Sequence, residues 1–562
     1  MLPSLWLALA TSAHAADLDT LVEAWSITNE EGSATEARFD DAGDLVVTGW
    51  IDDGAGSLAV VRAYDDTGGQ TFSYDTDPGP LADAANRWND FAIDEATGNL
   101  ALCGQRGGSA SDLDFLVEVI DPAGKPLWTV PYGGPATSPE QSCHGIAWGT
   151  SLFTAGSIWQ SDAVMGQWIL WRLDPATGLV QWPGTADFGA VPGAPDAAVD
   201  VAVFTDGTVA VAGQASDTKL GTHYPLVQRR DQATVLWESL LPDDVVLAAI
   251  VVEPVSSRAV VVGTQGSGAS SEAWMASFNQ ASGTPQLPVW ETTWSLGSPS
   301  GATAIALDGA GEGLVAGWVD DGSGPTWRVQ RVELGSGKPL DALELPGASG
   351  WPRGVAESGD LLGVVGTNDD TTFVVRMFGV DGDGDGVADV VDGCPEDTAK
   401  TDPGVCGCEV PDVDSDGDGA LNCEEECGSD PLKLDPGICG CDVSDDDSDG
   451  DGTADCDDDC VDDPDKDDPG VCGCGVADSD DDRDGLLVCQ DQCPDTPPGV
   501  AVDAVGCELD DASPDTGDTG ADSKPPDLSG GCGCQLAQQA PGSAIVGWLG
   551  LMALARRRRS MA

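Results

Sequence analysis

Leu45-Val46-Val47-Thr48-Gly49 is a short β-rich run that stops on a glycine, and the chain returns to that pattern six more times. The copies are Leu100 to Gly104, Leu152 to Gly156, Val209 to Gly213, Ala259 to Gly263, Leu314 to Gly317 and Leu361 to Gly366, about 50 residues apart. A short strand pattern precedes each copy, as in Asp200 to Phe204 and Ala304 to Leu307. An alternating strand comes after it, as in Leu58 to Tyr64, Trp168 to Leu173 and Trp327 to Val332. Most units add a fourth strand bearing a tryptophan: Trp128, Trp182, Trp237 or Trp290. Four strands per unit at this period, separated by Gly/Asp/Ser turns, predict the blades of a seven-bladed β-propeller over residues 16–379. The seventh unit ends after Phe378 without a fourth strand, while Leu21 to Thr28, with Trp25, stands alone at the front. That orphan strand is expected to complete blade seven and tie the ring shut.

A second repeat, strict at 33 residues, fills residues 381–511. Its first unit reads D-x-D-x-D-G-x-x-D-x-x-D, with Asp381, Asp383, Asp385, Asp389 and Asp392. The second offers Asp414, Asp416, Asp418, Asn422 and Glu425; the third, Asp447, Asp449, Asp451, Asp455 and Asp458. The fourth offers Asp480, Asp482, Asp484 and Asp491, with Val488 at the ninth position, so its site should be weaker or completed by water. Ca²⁺ takes six to eight oxygens, and carboxylates at positions 1, 3, 5, 9 and 12 can converge on one ion when a glycine at position 6 turns the chain. These residues are therefore the candidate metal ligands, with Ca²⁺ as the expected cofactor.

Cysteines keep the same step. Cys394, Cys427, Cys460 and Cys493 recur, as do Cys408, Cys441, Cys474 and Cys507. The last unit keeps these two positions and loses the other two together, with Val505 standing where Cys406 would be. Loss in pairs favours Cys394–Cys408 with Cys406–Cys423, Cys427–Cys441 with Cys439–Cys456, Cys460–Cys474 with Cys472–Cys489, and Cys493–Cys507. Strictly consecutive pairing is the alternative. Cys103 and Cys143, on strands of neighbouring units, are expected to form one more bridge. Patterned cysteines place the chain outside the reducing cytoplasm.

EF-hands and dockerins use similar loops but need flanking helices. Here Asp402-Pro403-Gly404, Asp435-Pro436-Gly437 and Asp468-Pro469-Gly470 forbid helix. Residues 381–511 instead resemble thrombospondin type 3 repeats, and the resemblance implies a nearly coreless chain wound around calcium ions. Turns such as Asp174-Pro175-Ala176-Thr177-Gly178 before Trp182, and Asp121-Pro122-Ala123-Gly124 before Trp128, resemble the tryptophan-docking repeats of quinoprotein-like propellers. The resemblance implies that they pack blade on blade; the adjacent cysteine pair of quinoprotein dehydrogenases is absent.

The ends read as addresses. Leu5 to Ala10 followed by Ala13-His14-Ala15 is a signal-peptide pattern over residues 1–15. Residues 512–530, rich in Asp, Pro, Gly, Ser and Thr, form a flexible linker. Residues 531–562 carry Cys532 and Cys534, an apolar run from Ala544 to Ala555 and the cluster Arg556 to Arg559. Twelve apolar residues are too few for a spanning helix, which needs about 20. This tail resembles the MYXO-CTERM sorting signal of myxobacteria and related Gram-negative bacteria. The resemblance implies cleavage by a sorting protease, membrane association through a modified Cys532 or Cys534, and surface display.

The formal charge is -73. Residues 381–511 hold 44 Asp/Glu against 4 Lys/Arg, and residues 1–380 hold 49 against 15. Such a field excludes nucleic acid as a partner and asks for divalent cations in the repeats. Catalytic signals are sparse: His144 and His223 lie in no nucleophile or metal motif, and no G-x-S-x-G, H-E-x-x-H or P-loop occurs. Two functions fit these signals. The first is a surface-displayed calcium-binding adhesion or interaction protein whose propeller is the binding head for a protein or glycan. The second is an extracellular propeller enzyme, a polysaccharide lyase or hydrolase. A channel lined by histidine, tyrosine and acids would favour the enzyme.

Overall fold

Among the described residues of the computed structural model, the strands between Leu21 and Val380 pair in seven four-stranded antiparallel blades, the last and first joined by a shared strand. The structure describes residues 17–509 except 53, 55, 77–85, 110–111, 133–140, 159–166, 187–195, 218–221, 232–233, 281–286, 295–298, 309 and 369–370. The expected signal peptide, linker and sorting tail, with Cys532 and Cys534, lie outside these residues. Blade two shows the plan: an inner strand, Arg87–Ile93, then Leu100–Ser109, Asp112–Ile120 and an outer strand, Pro126–Tyr132. The inner strands of the other blades begin at Gly32, Ser142, Ala197, Val245, Ser300 and Trp351.

The orphan strand runs further than the sequence suggested. Leu21–Phe39 is one continuous strand that serves two blades. Its first part pairs with Thr372–Val380 as the outer strand of blade seven, from Leu21 opposite Val380 to Glu31 opposite Thr372. Its second part pairs with Leu45–Asp52 as the inner strand of blade one. A ring closed this way has no unpaired edge between its last and first blades.

The recurring glycine has a steric cause. Each inner strand carries a β-bulge, skipping Thr35, Asn89, His144, Val199, Ala248, Thr303 and Arg353 in turn. The bulge drives the carbonyl two residues earlier against the second strand. A Cβ on Gly49 would lie 2.1 Å from Ser33 O, and one on Gly104 2.0 Å from Arg87 O. Gly156, Gly213, Gly263, Gly317 and Gly366 meet the same carbonyl at 2.1 to 2.4 Å. Only a residue without a side chain allows that approach.

Both faces of each blade are buried against neighbours. Seven hydrophobic clusters result among the described residues, one at each blade interface. Aromatic residues on outer strands reach across to the next blade's turn. Trp128 Nε1 donates to Pro175 O (2.8 Å), with Gly178 beneath the indole. Trp25 Nε1 donates to Asp66 O over Gly68, and Trp290 Nε1 to Leu334 O over Gly337. Phe72 covers Gly124 in the same manner without a hydrogen bond to give. Gly68, Gly124, Gly178 and Gly337 have φ of 84°, 78°, 69° and 71°, so they supply both the turn and the seat.

After Val380 regular structure stops. Residues 381–509 are turns, with a single isolated bridge, Val502 to Glu508. Their buried apolar residues are few: Ala388, Cys394, Cys427, Ala454 and Cys460. The chain divides into two compact units, residues 1–436 with 440–442, and residues 437–439 with 443–562, so the division falls within the repeats. In the first unit the opening repeat docks on the last strand: Asp389 N donates to Val380 O, and Ala388 and Val390 pack on Gly379.

Replacing Gly263 with Ala forces a backbone collision at Val246 O. It should lower propeller stability by about 2 kcal/mol, the usual scale of an overpacked core, or prevent folding. Thermal unfolding of the calcium-saturated protein checks this.

Candidate functional site

Four acidic loops form along residues 381–491. In each, the first aspartate closes the turn with backbone amides: Asp381 Oδ1 accepts from Gly384 N (2.7 Å) and Oδ2 from Gly386 N (2.9 Å), and Asp414 and Asp447 repeat the pattern. The glycines at position 6, Gly386, Gly419, Gly452 and Gly485, have φ of 97°, 103°, 107° and 100°, a region that favours glycine. This turn gathers Asp381, Asp383 and Asp385, and likewise Asp414, Asp416, Asp418; Asp447, Asp449, Asp451; and Asp480, Asp482, Asp484, with carboxylate oxygens within 4.8 Å of one another.

The loops fit a cation. Asp383 Oδ2, Asp392 Oδ2, Asp416 Oδ2, both oxygens of Glu425, Asp449 Oδ2 and Asp484 Oδ2 are buried without a hydrogen-bond partner. Buried carboxylate oxygens are not left unpaired unless something else satisfies them. Burial, then the neighbouring carboxylates, push the Asp383, Glu425 and Asp449 carboxyls above their usual range, and Asp392 and Asp458 are among those neighbours of Asp383 and Asp449. Position 12 therefore faces the triplet.

Position 9 is placed differently. Asp389 Oδ1 accepts from Gly382 N, Asn422 Oδ1 from Ser415 N, and Asp455 from both Ser448 N and its hydroxyl. These residues latch the loop rather than joining the triplet. Val488 forms no such side-chain latch, and Asp482 Oδ2 accepts from Thr496 N there. The fourth loop has a further departure: Arg483 takes the left-handed position (φ 63°) that Gly384, Gly417 and Gly450 hold in the others. In the third loop Asp467 comes in as an extra carboxylate. A hydrogen bond with Asp451 is the chief cause that raises its pKa.

The bridges in this region are Cys394–Cys408, Cys406–Cys423, Cys427–Cys441, Cys439–Cys456, Cys460–Cys474, Cys472–Cys489 and Cys493–Cys507. Cys103–Cys143 joins blades two and three in the propeller core. Eight bridges among the described residues point to an extracellular or oxidising environment. Between loops, lysines act as tethered cations. Lys400 Nζ donates to Pro403 O, Gly407 O and Val410 O (2.8, 2.7 and 3.0 Å) and pairs with Asp412. Lys466 does the same with Pro469 O, Gly473 O, Val476 O and Asp478, and Lys433 binds Pro436 O and Gly440 O. Their phase was visible in the sequence, but their role in ordering carbonyls was not.

The second candidate is the propeller's central channel, a cavity of about 1340 Å³ lined by all seven inner strands. Every bulge residue lines it. One residue beyond the bulge stand Glu36, Asp90 and Asp200. Asp90 Oδ2 accepts from Ile146 N of blade three, and Asp200 Oδ2 from Ile250 N of blade five. Arg38 Nε donates to Phe91 O, and its guanidinium pairs with Asp90 (3.4 Å) while 45% of the side chain stays open to the channel. Burial, opposed by Arg38 and reinforced by Asp90 and Asp200, pushes the Glu36 carboxyl to about 8. Burial and Asp90 push Asp200 to about 8, against its bonds from Ile250 and Val201. Burial and then Arg87 lower His144 to about 4; its ring shares a hydrogen bond with Ser157. Sequence alone singled out His144 but not Glu36, Arg38, Asp90 or Asp200, because the bulges that aim them are invisible in spacing.

No family model matches this chain, and no curated protein does. Solved structures that are similar include the WD40 β-propeller domain of Doa1, at 12% identity over 64% of this chain and 96% of that one, with a TM-score of 0.40. Others are Kuenenia stuttgartiensis hydrazine synthase, at 13% identity, 62% and 97% coverage and 0.41, and the propeller domain of Myceliophteria thermophila Cps50 (Swd1), at 11%, 64% and 99% and 0.41.

Lys466→Met should remove three charge-assisted bonds to carbonyls and cost about 2 kcal/mol of repeat stability, as for hydrogen bonds to charged groups. Chemical unfolding in saturating calcium, followed in the repeats, measures it. The channel predicts a pH effect. Glu36 holds its proton more tightly when folded, so its contribution is full below its usual pKa of 4.5 and is lost as pH rises through about 8. The propeller's melting temperature should therefore fall as pH rises from about 7.5 to 8.5, above the ordinary imidazole value of 6.5 at which unfolded His144 titrates, with Asp200 adding to the fall in the same range. Glu36→Gln should reduce that slope and leave the part due to Asp200.

Proposed function

We propose that this chain is an exported calcium-binding interaction protein, displayed on the surface of a Gram-negative bacterium, with the propeller as its binding head. Residues 381–511 would be a thrombospondin type 3-like spacer that calcium stiffens. Residues 531–562 would direct sorting, with a protease removing the apolar and arginine-rich end and Cys532 or Cys534 carrying the anchor. The observation that carries this is the set of orphaned carboxylate oxygens in four phased loops. Hard oxygen donors in that number, with no nitrogen or sulfur donor in the triplets, select Ca²⁺ over softer metals. The disulfides support export to an oxidising compartment, where calcium would be plentiful enough for weak sites.

A partner at the propeller would be a protein or a glycan. The second reading is a channel enzyme, a polysaccharide lyase or hydrolase. His144 and the channel carboxylates favour it. Against it, Asp90 and Asp200 each hold a backbone amide of another blade, and the channel lining contains no tyrosine among the described residues.

Calcium removal should collapse the order of the repeats and leave the propeller folded, since only the propeller has a large apolar core. Circular dichroism and hydrodynamic radius of the full chain, with Ca²⁺ and with chelator, decide the matter, and equal dimensions in both would refute it. Site affinities should be about 10⁻⁴–10⁻³ M, as in extracellular modules. Glycan and peptide arrays probed with the full chain in calcium test the binding head, and turnover of an arrayed polysaccharide would favour the enzyme.

A further inference from the structure

The inner strands line the channel in step. Thr35 Oγ1 donates to Trp88 O of blade two (2.9 Å), and Asn89 Nδ2 to Cys143 O of blade three (2.6 Å), so each of these bulge residues meets the residue before the next bulge. Blade seven meets blade one at the same depth: a Cβ on Gly354, just past Arg353, would lie 2.9 Å from Glu36 Cα. Position relative to the bulge therefore measures depth along the channel, and charge separates along that axis. Among the described lining residues every carboxylate lies past the bulge. Glu36, Asp90 and Asp200 stand one residue beyond it, and Asp40, Asp41, Glu95 and Glu357 lie towards the far end. Up to the bulge the charged side chains are Arg87 and Arg353, with the imidazole of His144 at the same depth.

The deeper carboxylates are engaged. Asp90 binds Arg38, Phe91 N and Ile146 N; Asp200 binds Val201 N and Ile250 N; Glu357 pairs with Arg331. The mouth is different. Arg353 is exposed and makes neither a hydrogen bond nor an ion pair among the described residues. Arg87 is exposed as well. Residues 1–380 carry 15 Lys/Arg against 49 Asp/Glu, so two arginines with no lining carboxylate at their depth reverse the field locally. Trp50, half-buried, stands on the blade between theirs, opposite Ser33. A second sign of a ligand is Thr367 of blade seven, opposite Trp351. It is 2% exposed, lines the channel, and keeps a buried hydroxyl without a hydrogen-bond partner. An unpaired buried hydroxyl costs free energy that a polar guest would recover.

We propose that this mouth of the channel binds an acidic glycan, a chain containing hexuronate residues, whose carboxylates pair separately with Arg353 and Arg87 while a sugar ring lies on Trp50. This rests on the propeller being a binding head, and it names the ligand class and its place. Arginine grips a carboxylate through two parallel N–H bonds, which a neutral sugar cannot return. The two pairs need no common point, since sugar rings set successive carboxylates of such a chain apart. A flat indole takes the apolar face of a ring and leaves its hydroxyls to the polar groups of the rim. An acidic peptide shares the carboxylates but brings no such face to Trp50. The carboxylates deeper in the channel repel the chain, so it lies across the mouth and does not thread the ring.

The test is titration calorimetry of the full, calcium-saturated chain with a hexasaccharide of alternating glucuronate and N-acetylglucosamine. Saturable binding that weakens as salt rises is expected. The same sugar with its carboxylates reduced to alcohols should bind at least about tenfold more weakly, as loss of charge-assisted bonds implies. Arg353→Gln and Arg87→Gln, at exposed positions, should each weaken the acidic form by a similar factor. Trp50→Ala should lower affinity and leave the salt dependence unchanged. Hydrogen–deuterium exchange of the unaltered protein locates the site without any variant, with protection expected around Trp50, Arg87 and Arg353. Absence of saturable binding, equal affinity for the reduced sugar or for hexaglutamate, or protection confined to residues 381–509 would each overturn the proposal. If the hexasaccharide fails while the arrays return another ligand, this site falls and the binding head stands; if both fail, both fall.

Discussion

The close approach between an inner-strand carbonyl and a second-strand Cα governs the propeller. Seven times the inner strand bulges, seven times the displaced carbonyl lies where a side chain would have to begin, and seven times that place is a glycine. Without the bulge, the side chains at and just past it would alternate into the blade interfaces, as in any regular strand. With it, Thr35, Asn89, His144 and Arg353 turn to the channel, and Glu36, Asp90 and Asp200 come to its wall. One steric constraint therefore sets both the packing of the blades and the chemistry at their centre.

Residues 381–509 solve a different problem. They have almost no apolar core, so their order must come from sources other than apolar burial. Three such devices alternate along the chain. Carboxylate loops await a divalent ion, lysine ammoniums hold carbonyl cages, and disulfides restrict the unfolded chain. The lysines are built-in cations, whereas the loops would take theirs from the medium. The fourth repeat relaxes this scheme: Gly499 stands where a lysine would be, and the Thr496 hydroxyl takes the carbonyl of Gly506 that an ammonium would have bound.

Blade number and ring closure were legible because both are written in local pattern. A Leu-Val-Val-Thr-Gly run marks a second strand, and Trp25 marks an outer strand lacking its blade. The full length of Leu21–Phe39 was not legible, since nothing local signals that a strand leaves one sheet for the next at Gly32. In the repeats, position 9 looks like a ligand in sequence because Asp389, Asn422 and Asp455 each offer a side-chain oxygen there. Its hydrogen bond to the position-2 amide is set by loop geometry, and Asn422 serves that bond as well as Asp389 does. Arg483 could have been found by laying the four repeats side by side, where it replaces a glycine. Glu36 and Asp200 could not, because 164 residues separate two side chains that share one electrostatic environment.

The two solutions differ in what they need from the surroundings. A blade interface buries its apolar surface whatever the ion content of the medium, and the Cys103–Cys143 bridge lies in an interface already packed by Ile146, Phe115 and Trp171. The acidic loops carry their repulsion until a cation arrives, and their few buried side chains cannot offset it. Calcium then acts on the repeats as a ligand acts on any marginal fold, adding stability in proportion to the logarithm of its concentration above the site affinity. Loss of calcium and loss of disulfides should therefore unmake one part of the chain while the other keeps its ring, because the ring's stability resides in side chains that meet no ion.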